Sequence, residues 1–112
     1  MHEYSLVRAL ADRVEAEARS RQAVAVHRLT VSIGALSGVE PELFATAFTL
    51  CRTGILSGAE LDIRRVEATW SCPTCGRPVA AEGVLRCADC DEPACLGTGD
   101  EILLERIEME VP

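Results

Sequence analysis

The sequence is short of aromatic rings, of basic charge and of long apolar runs, and each shortage removes a class of function. Aromatic residues make up 4% of the 112 positions, so there is no platform on which nucleobases could stack. Acidic residues outnumber basic ones 18 to 11, for a formal charge of −7. A surface of that sign repels nucleic-acid phosphates, and no nucleic-acid partner is expected. No segment approaches the ~20 apolar residues needed to span a bilayer. The start carries Glu3 and Asp12 among apolar residues, not the basic region and apolar run of a secretory signal. A cytoplasmic protein without membrane contact is the expectation. Internal repeats and low-complexity tracts are missing. So are a phosphate loop, a Ser/His/Asp set and a carboxylate pair with a cleft signature, so the chain is not expected to be an enzyme, whether hydrolase or thiol oxidoreductase.

What the sequence does have is cysteine in a pattern. Cys72-Pro73-Thr74-Cys75-Gly76 is answered by Cys87-Ala88-Asp89-Cys90, with eleven residues between Cys75 and Cys87. Two intervening residues let one tight turn aim two sulfurs at a point, and two such turns make a tetrahedral all-sulfur site. Pro73 fixes φ inside the first turn, and Gly76 can adopt the positive φ that such a knuckle needs. Zinc is the first choice; rubredoxin-like iron uses the same sulfurs and stays open. A disulfide pair or a redox motif fits less well, because redox C-x-x-C normally occurs once, at a helix start after a strand. Four thiolates close the coordination shell, so the site reads as structural. The residues between the knuckles cannot build a core, and the metal would hold the lobe together. Four thiolates and a divalent ion make the chain more acidic still, by about two units; Arg77 and Arg86, beside the knuckles, are placed to offset part of it.

The start, Met1-His2-Glu3, reads in one of two ways. The common one is a disordered end. The other begins from the bulk of His2, which favours retention of the initiator Met and so keeps an α-amino group next to an imidazole. The amine, the His2 backbone nitrogen and the His2 ring can surround one ion in the nitrogen-rich, square-planar manner that suits Ni(II) or Cu(II). Glu3 would add a carboxylate or orient the ring.

Between these two sites the periodicity predicts a small α+β fold. Leu6, Val7, Leu10, Val14 and Ala18 form an apolar stripe over a helix at 4–20. Residues 24–34 alternate as a half-buried strand, with Leu29, Val31 and Ile33 on one face and His27 on that face near its end. A turn through Gly34-Ala35-Leu36-Ser37-Gly38-Val39-Glu40 leads to a second helix at Pro41. Its stripe is Leu43, Phe44, Ala47, Phe48, Cys51 and Ile55, with Gly54 closing it; Cys51 is expected to be a core residue. Leu61 and Ile63 start a further strand. Val66 and Ala68 continue it on the opposite parity, which predicts a bulge near Arg64-Arg65. The last strand has the same conflict: Leu103, Ile107, Met109 and Val111 share a parity, which Glu105 interrupts beside Ile102 and Leu104, and a sheet irregularity is expected there too. The prediction is a three-stranded mixed sheet with two helices on one face, the strand-helix-strand unit parallel and the last strand antiparallel. A four-cysteine zinc-ribbon-like lobe, 70–97, is inserted into a domain of 1–69 plus 98–112. Trp70 is expected as a packing plug between lobe and sheet, and Cys95 as a spare thiol. Gly97 and Gly99 form a hinge through which a strand-exchanged dimer could arise, so monomer and weak homodimer both stay open.

The Met1-His2-Glu3 start, the Gly34–Pro41 turn and the paired C-x-x-C units together resemble the HypA/HybF family of hydrogenase-maturation nickel metallochaperones, nearly end to end. The resemblance implies a transient nickel(II) site at Met1, His2 and Glu3, and structural zinc at Cys72, Cys75, Cys87 and Cys90. It also implies a GTPase partner and delivery of nickel to the large subunit of a [NiFe] hydrogenase, or to urease. One departure stands out. The second knuckle ends Cys90-Asp91, where many relatives have Cys-Gly and a Pro after the first Cys, so a softer turn is expected there. The competing reading is a four-cysteine adaptor that makes protein contacts only, with an inert N-terminus.

Overall fold

A computed structural model describes residues 2–80 and 83–112. Helix α1 spans His2–Ser20, starting two residues earlier than the stripe alone indicated. Its buried residues are Val7, Ala11, Val14 and Ala18, spaced four, three and four apart so that they share one face. Leu6 and Leu10 pack on the flank of that face. The helix stops because Gln22 turns to φ +56°. The Ala23 N–H then reaches the Ala18 carbonyl at 2.9 Å and the Gln22 N–H reaches Arg19 at 3.1 Å, which satisfies carbonyls the helix leaves free.

Strand β1 (Ala25–Gly34) lies in the middle of the main sheet, between β2 (Glu60–Val66) and β6 (Ile102–Glu110). β1 and β2 are parallel, with α2 (Pro41–Cys51) in their connection; β1 and β6 are antiparallel. This is the predicted mixed sheet. α2 opens with Pro41 at its first position after Glu40 and buries Phe44, Ala47, Phe48 and Cys51. Leu43 is 55% exposed. It sits one residue beside the stripe, at an angle that takes it past the core edge. The core between helices and sheet includes Val26, Leu29, Val31, Ile33, Phe44 and Leu56, each large apolar side chain contributing about 1.5–3 kcal/mol on burial.

The irregularities fall in different places from those the parity predicted. β2 keeps an unbroken register against β1 from Glu60 to Val66, so there is no bulge at Arg64-Arg65. The chain leaves the main sheet after Val66, which is partly buried at the end of the continuous ladder, and starts a new strand at Thr69, so Ala68 belongs to the link and not to the sheet. At Glu105 the bulge is present: Val31 faces Leu104 and Thr30 faces Arg106. The extra residue switches inward parity from Ile102 and Leu104 to Ile107 and Met109. A second shift, between Val26 and Arg28, pushes His27 out of the Leu29 face. His27 is exposed, its Nε2 3.0 Å from Glu110 Oε1, so it is hydrogen-bonded as expected but not buried. The face of the sheet away from the helices carries ion pairs, Arg28 with Glu60 at 3.0 Å and Arg64 with Glu105 at 3.3 Å.

Between β2 and β6 the chain forms a second sheet of β3 (Thr69–Ser71), β4 (Pro78–Val79) and β5 (Cys95–Thr98), in the order β4-β3-β5. Trp70 is half-buried in β3, opposite Val79 on one side and Leu96 on the other. It is not among the residues of the main core, and its strand neighbours are those of the small sheet. Cys95 is an exposed free thiol on β5 and Cys51 a buried one in the core.

Candidate metal centres

The four knuckle cysteines come together. Their sulfurs all lie within 4.8 Å of one another, and Cys75 Sγ is 3.7 Å from Cys87 Sγ. A tetrahedral ion with metal–sulfur bonds of ~2.3 Å requires sulfurs about 3.8 Å apart, so the donor set fits such an ion. Local backbone chemistry explains the convergence. In the first knuckle the Cys72 N–H bonds the Arg77 carbonyl and the Gly76 N–H bonds the Cys72 carbonyl, both at 2.9 Å. In the second the Cys87 N–H bonds Glu92 at 2.9 Å and the Asp91 N–H bonds Cys87 at 3.0 Å. The two turns repeat each other bond for bond.

Both need a left-handed residue immediately after the second cysteine. Gly76 takes φ +76° and Asp91 φ +52°. A glycine does this freely and an aspartate at some cost. The second knuckle has an added brace: Arg86 Nη2 donates to the Asp91 carbonyl at 2.9 Å and Arg86 Nε to its carboxylate at 3.3 Å. Arg77 pairs with Asp89 across the two knuckles. Both arginines therefore answer knuckle carboxylates, a more specific task than offsetting thiolate charge.

Thiolate character is unequal around the cluster. The Cys75 backbone amide, 3.5 Å from Cys72 Sγ, is the main cause holding Cys72 below the ordinary thiol range, against burial. Cys87 is lowered chiefly by the Cys90 amide. Cys90 is pushed up to about 12, first by the adjoining Cys75 sulfur and then by burial. Amide dipoles favour ionising two sulfurs, and the last is opposed by its neighbours. A central cation removes that opposition, which is why such a site exchanges protons for metal.

At the other end, Met1 lies outside the described residues. His2 is exposed and Glu3 half-buried, both in the first turn of α1. The first backbone N–H groups of a helix have no partner within it, and the His2 nitrogen is one of these. The ordering of His2 and Glu3 as helix differs from the free terminus expected from sequence. Glu3 is further held by tertiary structure: its Oε2 accepts the Glu40 N–H at 3.2 Å. That bond is the main cause lowering the Glu3 carboxyl below its usual range. The start of α1 and the start of α2 are thereby joined, a contact between residues 37 apart in sequence for which the sequence carries no local signal.

The order of elements, the cysteine cluster and the exposed His2 can be set beside known proteins. Residues 1–109 match the family model described as hydrogenase/urease nickel incorporation, metallochaperone, HypA. The chain belongs to the HypA family. The hydrogenase maturation factor HypA of Shewanella baltica (strain OS223) is 36% identical over 118 aligned positions, covering 98% of this chain and 97% of that one. HypA of Aquifex aeolicus is 34% identical, with 99% of each chain covered. Among solved structures, the solution structure of the Ni metallochaperone HypA from Helicobacter pylori superposes with a TM-score of 0.72 at 28% identity, over 98% of both chains. Another solution structure of a HypA protein gives 0.80 at 30% identity, over 97% of this chain and 96% of that one. The matched residues, 1–109, take in the N-terminal start, the main sheet as far as Met109 and the inserted small sheet.

Proposed function

We propose that this protein is a nickel metallochaperone of hydrogenase maturation. It would carry Ni(II) at Met1, His2 and Glu3 and hold a structural zinc at Cys72, Cys75, Cys87 and Cys90. With a GTPase of the nickel-insertion machinery it would pass the nickel to the large subunit of a [NiFe] hydrogenase. The observation that carries this reading is the family match, which begins at residue 1 and so includes the Met-His-Glu start. The exposed His2 supports it.

The two metals are sorted by ligand type. Soft thiolates suit zinc, and imidazole with amine or amide nitrogen suits nickel. His2 supplies the imidazole and its backbone nitrogen, and the Met1 amine supplies a third nitrogen. Glu3, already tied to the Glu40 N–H, orients this first turn. The positive end of the α1 dipole disfavours a cation there by roughly 0.3–1 kcal/mol, which suits a cargo that must leave. In this reading the chain divides into a nickel-binding α/β domain, 1–69 plus 98–112, and a zinc-binding domain, 70–97. It acts in the cytoplasm and performs no turnover of its own.

The test is Ni(II) titration by calorimetry on tag-free, zinc-loaded protein and on His2→Ala. The expected result is a loss of nickel affinity of at least tenfold with zinc content unchanged. Equal nickel binding by both proteins overturns the carrier assignment and leaves a four-cysteine adaptor. Pull-down of the cognate GTPase and hydrogenase large subunit tests the delivery step.

A further inference from the structure

We propose that the open edge of β6, together with the adjoining flank of α1, is a strand-addition site for an extended segment of a protein partner in which apolar and acidic residues alternate. The inference rests on the main sheet alone, so its failure would leave the nickel reading untouched.

β6 is an outer strand of the main sheet. The Gly34 N–H bonds the Glu101 carbonyl at 2.9 Å, continuing the register in which Ile33 faces Ile102. Antiparallel alternation then directs the backbone of Leu103 toward β1 and those of Ile102 and Leu104 toward the open side. Past the Glu105 bulge, the Glu110 carbonyl points toward the β1 side, where it accepts the Val24 N–H at 2.8 Å. Ile107 and Met109 therefore present their N–H and C=O groups outward. The side chains of Ile102, Leu104, Ile107 and Met109 pack against the core, so each of these residues joins an apolar floor to an unpaired backbone.

A groove of about 450 Å³ runs between this edge and α1, walled by Arg13, Glu17 and Arg21 on one side and Leu104, Ile107 and Met109 on the other. It adjoins a hollow of about 310 Å³ that shares Arg13 and Leu104 with it and is otherwise apolar, with Leu6, Leu10, Phe44 and Ile102 among its walls. A helix on one side, a free strand edge on the other and an apolar floor are what a peptide needs to join a sheet: its backbone continues the ladder and alternate side chains enter the floor.

Charge selects the occupant. Glu17 is bound to Arg21 at 3.0 Å and Glu105 is drawn to Arg64 at 3.3 Å. Arg106, which also borders the groove, lies 3.9 Å from Glu108. Arg13 makes no ion pair among the described residues. The uncompensated charge in the groove is thus positive, on a chain whose net charge is −7. A free peptide can follow the kink at Glu105. A second copy would meet that kink with its own, and bulges of this kind discourage edge-to-edge pairing.

The experiment uses the full zinc-loaded chain and a fluorescein-labelled ten-residue peptide of alternating valine and glutamate, with a valine/lysine peptide as control. Expected results are saturable binding of the glutamate peptide and at least tenfold weaker binding by the double variant Arg13→Glu, Arg106→Glu. On peptide addition, hydrogen exchange should slow at the amides of Leu104, Ile107 and Met109, whereas that of Leu103 is already slow. Three outcomes overturn the proposal: no saturable binding, equal binding of the lysine peptide, or peptide binding without new protection at those amides. A free protein that sediments as a dimer with these amides already protected also overturns it, by showing that a second copy occupies the edge.

Discussion

Gly34 and Gly99 meet backbone to backbone. A Cβ built on Gly34 would lie 2.2 Å from the Gly99 carbonyl oxygen, and one on Gly99 would lie 2.6 Å from the Ala68 Cα. Three hydrogen bonds fix this crossing. The Leu36 N–H reaches Gly99 at 2.7 Å, the Gly34 N–H reaches Glu101 at 2.9 Å and the Ala35 N–H reaches Val66 at 2.9 Å. The Gly34–Pro41 turn therefore clasps both passages of chain that lead into and out of the small sheet. The same turn carries Glu40, whose N–H holds Glu3. Through the Glu3 carboxylate this turn links the start of α1 to the neck of the cysteine lobe.

The first prediction follows from that crossing. Gly34→Ala forces two backbones apart and should destabilise the fold by about 3 kcal/mol or more, the upper range for overpacking. Gly58, where an added Cβ meets nothing within 4 Å and no positive φ occurs, is the control; Gly58→Ala should be neutral or slightly stabilising. Urea denaturation midpoints for both variants check this, and an unchanged midpoint for Gly34→Ala would contradict the close approach.

The second concerns the unequal knuckles. Gly76→Ala places a Cβ at φ +76° and should cost about 1–2 kcal/mol. Asp91→Gly relieves the same strain in the second knuckle while leaving the Arg86 bond to the position-91 carbonyl in place. It should slow metal loss to a chelator. Arg86→Ala, which removes both braces, should speed it. Metal release followed with a colorimetric chelator gives all three rates, and the expected order is Asp91→Gly slowest and Arg86→Ala fastest.

The third concerns metal removal. Chelation should collapse β3, β4 and β5, whose surroundings hold few buried apolar groups beyond Cys72 and Cys87, and spare the main sheet with its own core. Amide spectra of the stripped protein should lose dispersion for residues of the small sheet and keep it for β1, β2 and β6. Cys90→Ser should reproduce the effect. Cys95→Ser should leave metal content unchanged.

The fourth separates the two faces of α2. Phe44, 1% exposed, lies in the core, and Leu43, 55% exposed, lies beside it. Phe44→Ala should cost about 3–5 kcal/mol and Leu43→Ala less than about 0.5 kcal/mol. Thermal or denaturant unfolding measures the contrast. Comparable losses would mean that the stripe read from sequence, which included Leu43, describes the packing better than the structure does.

Local chemistry determined much of this protein. Two residues between cysteines are enough to turn two sulfurs toward one point, so the quartet was legible from spacing. The 3–4 periodicity of α1 and α2 and the alternation of β1 were legible because a helix or strand shows its buried face within a few residues. The break at Glu105 was legible because an extra residue is a common way for a strand to change its inward parity. Other features were decided only when distant segments met. The parity change between Ile63 and Val66 predicted a bulge at Arg64-Arg65, yet β2 pairs with β1 without a break through Val66, and the chain departs for a second sheet just beyond it. His27 shares its parity with Leu29, and only the pairing of β1 with β6 turns it out to Glu110. The Glu3–Glu40 bond, the Gly34–Gly99 crossing and the unpaired side of β6 each depend on residues far apart in the chain. Sequence specifies what each residue can do with its near neighbours; which distant groups are left to find one another, and which strand is left with an open edge, is settled when all the segments compete for one core.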